Sequence, residues 1–261
     1  MVIYSLQPEK MSASQKQASF YYQPMVKIIF FATLLFCCFS AAAQTGSFIS
    51  VKQKTEVLEN HRKITTSVDL FLNNDKQTIT KYYHASPDFI MHTNALGEIK
   101  TYYPESNEVA YRQIAGMSSK RNLLYYFANN LIDNLGLVDE GFQLVSNGYE
   151  GSYYVTVWQA PSSLQGVGSV KMVFENGLPV YSEYQASKEK IMRKIYYANY
   201  QDFRQFRLPM QIVEISYKSE TDSIISRTSF SDVKVSLTDD NSYFNFKIPE
   251  DAKPISKDES Q

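Results

Sequence analysis

Cysteine is nearly missing: the chain of 261 residues has two, Cys37 and Cys38. Both fall inside its one strongly apolar run, so no disulfide can staple the rest of the chain. Glycine (10) and proline (9) are each below average usage, which excludes collagen-like and low-complexity order. Neither sign of charge dominates, with 26 basic against 27 acidic side chains and a net charge of -1. That balance excludes a basic nucleic-acid binder and a long acidic tail. No apolar run reaches the ~20 residues of a membrane-spanning helix, which excludes a multi-span protein. What the chain has in quantity is aromatic and aliphatic side chains, including 20 Tyr and 16 Phe against a single Trp. A chain this long can bury roughly 70 to 75% of its unfolded surface, enough for one large domain without a metal or a disulfide.

The apolar run is Ile28 to Phe39, preceded by Lys27 and followed by Ser40-Ala41-Ala42-Ala43-Gln44. A basic flank, a short apolar core and small residues at the end read as a secretory signal peptide, with cleavage expected between Ala43 and Gln44. A lipoprotein signal would place a small residue before the cysteine, whereas Phe36 precedes Cys37. Met25 stands just upstream of Lys27 and reads as the true start. The expected organisation is a signal peptide over residues 1–43, one domain over 44–253 and a loose polar tail over 254–261. Removal of the signal leaves 23 basic and 26 acidic groups and no cysteine. Such a chain suits an oxidising compartment, and the periplasm of a Gram-negative bacterium is the expected location.

From Phe48 onward the dominant signal is period-two alternation interrupted by turn residues, the mark of an antiparallel β domain. In the run Ile64 to Asn73, Ile64, Thr66, Val68, Leu70 and Leu72 share one face. Similar runs follow at Gln77 to His84, Phe89 to Thr93, Glu98 to Tyr103 and Glu108 to Ile114. The period then changes. Leu124, Ala128, Leu131 and Leu135 recur at helical spacing, widened by Leu123, Phe127 and Ile132, and predict one amphipathic helix. Ser118 or Ser119 is expected to cap its start and Gly136 to end it. Strands resume from Phe142 to Ser236, with Asn176-Gly177 as the strongest hairpin signal and a last short strand expected over Tyr243 to Ile248.

Reactive groups are few. The three histidines, His61, His84 and His92, lack partners at ligand spacing. His84 and His92 could meet across strands near Asp88 to hold zinc, but strand-edge histidines are the ordinary reading. No nucleophile elbow, zinc-protease helix, phosphate loop or dinucleotide fingerprint is present. The adjacent carboxylates Asp139-Glu140, Asp239-Asp240 and Glu250-Asp251 sit in expected loops as solvated turn charges. The Phe203-Arg204-Gln205-Phe206-Arg207 segment, basic and aromatic in turn, reads as a loop that packs its aromatics. No catalytic residue, metal or cofactor is expected, and no nucleic-acid partner.

The order of pieces resembles the LolA-like lipoprotein-sorting family over most of Phe48 to Lys253. The resemblance rests on Lys52-Gln53-Lys54 in the opening strand, Pro87-Asp88-Phe89, and Gly97 leading to Tyr102-Tyr103-Pro104 and Asn107-Glu108-Val109. It continues with the helix near Leu123-Leu124, then Leu208-Pro209-Met210-Gln211-Ile212, Ser231-Asp232-Val233-Lys234-Val235 and Phe244-Asn245-Phe246-Lys247-Ile248-Pro249. It implies a mainly β fold, a curved antiparallel sheet forming an incomplete barrel with a helical lid. It also implies a monomeric, non-enzymatic carrier that takes acyl chains of lipoproteins, or another lipid, from an inner-membrane donor complex to an outer-membrane acceptor. Family carriers place an arginine shortly after the Pro-x-Phe segment to hold the lid; here the chain reads Phe89-Ile90-Met91-His92, without one.

On this reading Leu123, Leu124, Phe127 and Leu131 are the helix face that closes on cargo. Phe89, Met91, Val155, Val157, Met172 and Phe174 are the matching sheet residues. The competing reading of the same residues is a dry, packed core in an exported β-sandwich or barrel that serves as a structural or protein-interaction module of the envelope.

Overall fold

The computed structural model describes residues 48–73, 76–83, 87–186, 190–219, 221–238 and 242–255. The segment read as a signal peptide, with Ala43 and Gln44, lies outside the described residues, as do His84 and the pair Asp239-Asp240. Among the described residues no helix is long and apolar enough to cross a membrane.

Alternation becomes strand throughout. A first antiparallel meander comprises β1 (Phe48–Glu59), β2 (Arg62–Leu72), β3 (Thr78–Tyr83), β4 (Phe89–Thr93), β5 (Glu98–Tyr103) and β6 (Glu108–Gln113). A second comprises β7 (Gln143–Glu150), β8 (Tyr153–Gln159), β9 (Ser169–Glu175), β10 (Leu178–Gln185), β11 (Ile191–Asp202), β12 (Arg207–Tyr217) and β13 (Ser223–Ser236). β14 is the short Lys253–Pro254. Strand β13 returns to pair with β1, setting Phe48 opposite Ser236 and Leu58 opposite Ile225, so β1 joins the two meanders into one sheet. β14 and β7 form its two edges and do not meet, leaving a curved, unclosed sheet of mainly β architecture. At the β9–β10 turn Asn176 and Gly177 have φ of 52° and 77°, the pair of positive values that a tight two-residue hairpin needs.

The helix is shorter than its period predicts. Helix α1 spans only Leu123–Ala128, after two 3-10 turns at Ala115–Met117 and Ser119–Arg121. Its cap is Asn122, whose Oδ1 accepts from the Tyr125 N–H at 2.8 Å; Ser118 caps the preceding 3-10 turn instead. It ends at Asn130, not Gly136. Asn130 has φ of 54°, and the Leu131 N–H reaches the Tyr126 carbonyl while the Asn130 N–H reaches that of Phe127. Those two bonds form the left-handed stop that asparagine and glycine favour. The stop throws Leu131 off the apolar face and leaves it 46% exposed.

The expected strand over Tyr243 to Ile248 is a strap. Its side chains alternate, but they alternate onto the convex face of the first meander and join no ladder. Phe244 stands edge-on to Phe71 at 5.7 Å and tilts on Phe48 at 5.1 Å, while Phe246 lies 6.0 Å from Tyr102. Asn73 Nδ2 donates to the Phe244 carbonyl and Lys81 Nζ to Tyr243 Oη, at 3.3 and 2.8 Å. With Ile79 and Ile90 beneath it, the strap completes one of three apolar clusters among the described residues. The other two lie on the concave face, one around α1 and one around Leu137, Phe142 and Trp158.

Candidate ligand-binding site

Register decides which side chains face the concavity. Cross-strand partners share a face, so one row runs Thr80, Leu70, Val51 and its neighbour row Tyr82, Val68, Gln53, Phe230. In the second meander the same side carries Trp158 opposite Val170 and Thr156 opposite Met172, continuing through Ser182 to Ile195.

Helix α1 occupies the middle of this face. Phe127 is 0% exposed, and its ring lies 6.2 Å from Tyr197 and 6.1 Å from Tyr200; Leu124, Tyr125 and Tyr126 are buried with it. The helix is anchored at both ends. Asn122 Nδ2 donates to Thr78 Oγ1 at 3.3 Å, Ser118 Oγ to the Ala95 carbonyl at 2.7 Å, and the buried Ser119 hydroxyl to the Lys76 carbonyl; beyond the helix Asn130 Nδ2 donates to the Gln205 carbonyl at 3.0 Å.

Among the described residues several openings remain around the helix. The largest, about 580 Å3, lies over β2 to β4 beneath the 3-10 turns, lined by Thr55, Thr66, Val68, Thr78, Thr80, Tyr82, Met91 and Thr93 with Arg121 at its rim. A smaller one of about 240 Å3 adjoins it between Leu70, Leu123, Leu124, Ile212 and Phe230. On the far side a third, of about 540 Å3, is lined by Leu144, Tyr149, Tyr154, Trp158 and Phe174. The lining of the largest differs from a plain apolar trough. Its threonines present methyl and hydroxyl groups together, and burial pushes the Tyr82 phenol above its usual pKa, which keeps it a neutral donor.

The residues singled out from the sequence divide among these places. Leu123 and Leu124 face the 240 Å3 cavity, Met91 the largest, and Phe174 the third. Phe89 stacks on Tyr82 at 4.3 Å. Met172 is sealed in the Trp158 cluster and Phe127 in the helix cluster. Val155 and Val157 do not join them: Val155 pairs with Val173 and Val157 with Lys171, so both point to the convex face. Leu131 faces away from the packed interior.

Thr66 shares the apolar face of its run, but Thr78 and Thr80 were missed because a binary pattern counts threonine as polar and therefore outward. In β3 the apolar member Ile79 faces the strap, and Thr78 and Thr80 face the concavity. The Phe203 to Arg207 segment is the β11–β12 turn, with Phe206 buried and stacked on Phe203 at 5.6 Å. His92 lies 2.8 Å from Gln77 Oε1, and among the described residues no three of His, Cys, Asp and Glu gather into a metal site.

No family model and no curated protein matches the chain in sequence. Solved structures do. A DUF1329 family protein from Desulfovibrio piger aligns over 77% of this chain and 90% of its own, at 14% identity and a TM-score of 0.51. A LolA superfamily protein from Nitrosomonas europaea aligns over the same shares at 14% identity and 0.50. A domain described as an outer membrane lipoprotein-sorting protein, from Vibrio parahaemolyticus, aligns over 78% and 91% at 11% identity and 0.50. At these identities the likeness is one of fold: the chain folds as LolA-superfamily and lipoprotein-sorting domains do.

Proposed function

We propose that this chain, with the fold of lipoprotein-sorting domains, is a non-enzymatic carrier of an acylated ligand, the acyl chains of a lipoprotein or another lipid. It is exported by residues 1–43, works in the periplasm as a monomer through residues 44–253, ends in a polar tail at 254–261, and passes cargo from an inner-membrane donor to an outer-membrane acceptor.

The observation that carries the reading is that the concave face stays open on both sides of a fixed helix, with about 580 Å3 on one side and about 540 Å3 on the other. Each volume is within the ~300 to 1,000 Å3 of small-molecule sites. Burying methylenes at ~0.8 kcal/mol each, a chain of about 16 carbons would gain on the order of 10 kcal/mol if fully enclosed. Half-open grooves enclose it in part, which keeps extraction favourable without trapping the cargo. The alternation of threonine hydroxyls with Val68, Tyr82 and Met91 suits acyl chains together with the ester or amide groups that bear them. Lifting Phe127 out would undo the core, so cargo enters along the groove and the helix stays in place.

The test is titration of a fluorescent fatty-acid probe into the protein and its Met91→Trp variant, in which a larger ring fills the groove. The proposal expects saturable binding by the parent and a loss of at least about tenfold in the variant, with the melting transition unchanged. Absence of binding by the parent would favour the module with a dry interior.

A further inference from the structure

We propose that the open edge strand β7 is a docking site for an extended, positively charged peptide segment of a partner protein, which adds to the sheet as a further strand. The proposal rests on the unpaired edge of β7 and not on acyl binding, although the added strand would lie beside the 540 Å3 opening that the carrier reading also uses.

The two edges of the sheet are treated differently. At the β6 edge the chain covers its own backbone, with the Lys253 N–H donating to the Asn107 carbonyl and the Ile255 N–H to that of Val109, at 2.8 and 2.9 Å. At the other edge, among the described residues, β7 pairs with β8 alone, and all eight of its residues are exposed. Natural sheets blunt such edges with lysine, proline or a short strand. The run Gln143–Glu150 contains neither residue, and its one irregularity, between Leu144 and Ser146, leaves the remainder regular.

The backbone is in phase for pairing. Gly151 and Ser152 make a two-residue turn, with Gly151 at φ of 64°, so Glu150 and Tyr153 are the bonded pair flanking it. Bonded and non-bonded pairs alternate in an antiparallel ladder. Asn147 and Tyr149 therefore turn their N–H and C=O groups outward. Tyr149 is 79% exposed, and it lines the third cavity with Leu144, Tyr154 and Trp158. An apolar side chain of an added strand has a place to go beside that edge.

Charge selects the partner. Between Arg121 and Lys171 the chain has no basic residue and four acidic ones, Asp133, Asp139, Glu140 and Glu150. Asp133 lines the cavity, and Asp139 and Glu140 are exposed in the turn that leads into β7. Lys171 pairs with Glu150 at 3.3 Å, so the acidic surplus is that of Asp133, Asp139 and Glu140. Strand addition supplies affinity through main-chain bonds and specificity through alternate side chains, and here the field at the edge favours cations.

The test selects a randomised nonapeptide library on the full chain and follows binding by hydrogen exchange. The proposal expects enriched peptides with Lys or Arg and large apolar residues at alternating positions, slowed exchange at Asn147 and Tyr149, and binding that weakens with added salt. Asn147→Pro removes one outward N–H at a position where an edge strand tolerates proline, and binding should fall at least about tenfold. Asn147→Lys keeps every backbone group and installs the missing guard, so it should give the same loss if the proline variant folds poorly. Failure to enrich any peptide, equal binding by the Asn147→Lys variant, or protection confined to other strands overturns the proposal. So does a concentration-dependent dimer that protects β7, which would assign the edge to a second copy of the chain.

Discussion

The ring of Phe127 lies 6.2 Å from that of Tyr197, at 60°, in the middle of the concave face. Tyr197 is buried too, and burial pushes its phenol well above the usual range, with the hydroxyl 3.4 Å from Ser182 Oγ. The pair ties the short helix to the second meander, and the groove is shaped around it. Replacing Phe127 with Ala should cost about 3 to 5 kcal/mol, as for other fully buried aromatic truncations. Urea unfolding checks this, and a loss below about 1 kcal/mol would show that the helix is a detachable lid.

The strap should behave as part of the domain. Phe244→Ala removes the ring that touches both Phe48 and Phe71 and should destabilise the protein by about 3 kcal/mol. Hydrogen exchange at Lys253 and Ile255, whose amides pair with β6, should quicken with it. Unchanged exchange there would mean that β14 is held independently of the strap.

Gly136 answers to space. It has φ of 88°, and a Cβ there would stand 2.0 Å from Tyr126 Oη. Gly136→Ala should cost more than about 1 kcal/mol, whereas Gly148→Ala, with nothing within 4 Å of its Cβ, should be neutral or mildly stabilising. Equal effects in thermal unfolding would contradict the packing of Tyr126 against this turn.

His92 gives the protein a pH dependence. Burial, and after it the nearby Lys100, holds its pKa below the usual value. Below about pH 6.5 the unfolded chain therefore binds a proton that the folded chain resists. The stability this provides is complete above that pH and is lost as pH falls from there through the folded pKa. In denaturant titrations across this range the parent should lose stability that His92→Gln retains; parallel curves would contradict it.

Much of this architecture was legible because strands announce themselves locally. Alternation in Ile64 to Asn73 and the Asn176-Gly177 turn needed no knowledge of partners. The strap and the helix end were not legible, for opposite reasons. Phe244, Phe246 and Ile248 alternate as a strand does, but their apolar face is met by another face of the same sheet, and only tertiary contact distinguishes that from ladder pairing. Leu131 and Leu135 continue the helical period beyond Ala128, yet the left-handed conformation of Asn130 breaks the helix before them. Of the ligand-facing candidates, Leu123, Leu124, Met91 and Phe174 reach openings on the concave face. Val155 and Val157 could not be separated from Met172 and Phe174 by pattern, since facing depends on register between strands. The threonine lining was hidden because the strap drew the apolar side of β3 to the convex face.

The measurement that bears most directly on the carrier account is native mass spectrometry, with solvent extraction, of the protein purified from a periplasm without detergent. The account predicts a bound lipid or acylated peptide, released on extraction and absent from Met91→Trp. A clean apo mass, together with no uptake of a fatty-acid probe, would contradict it.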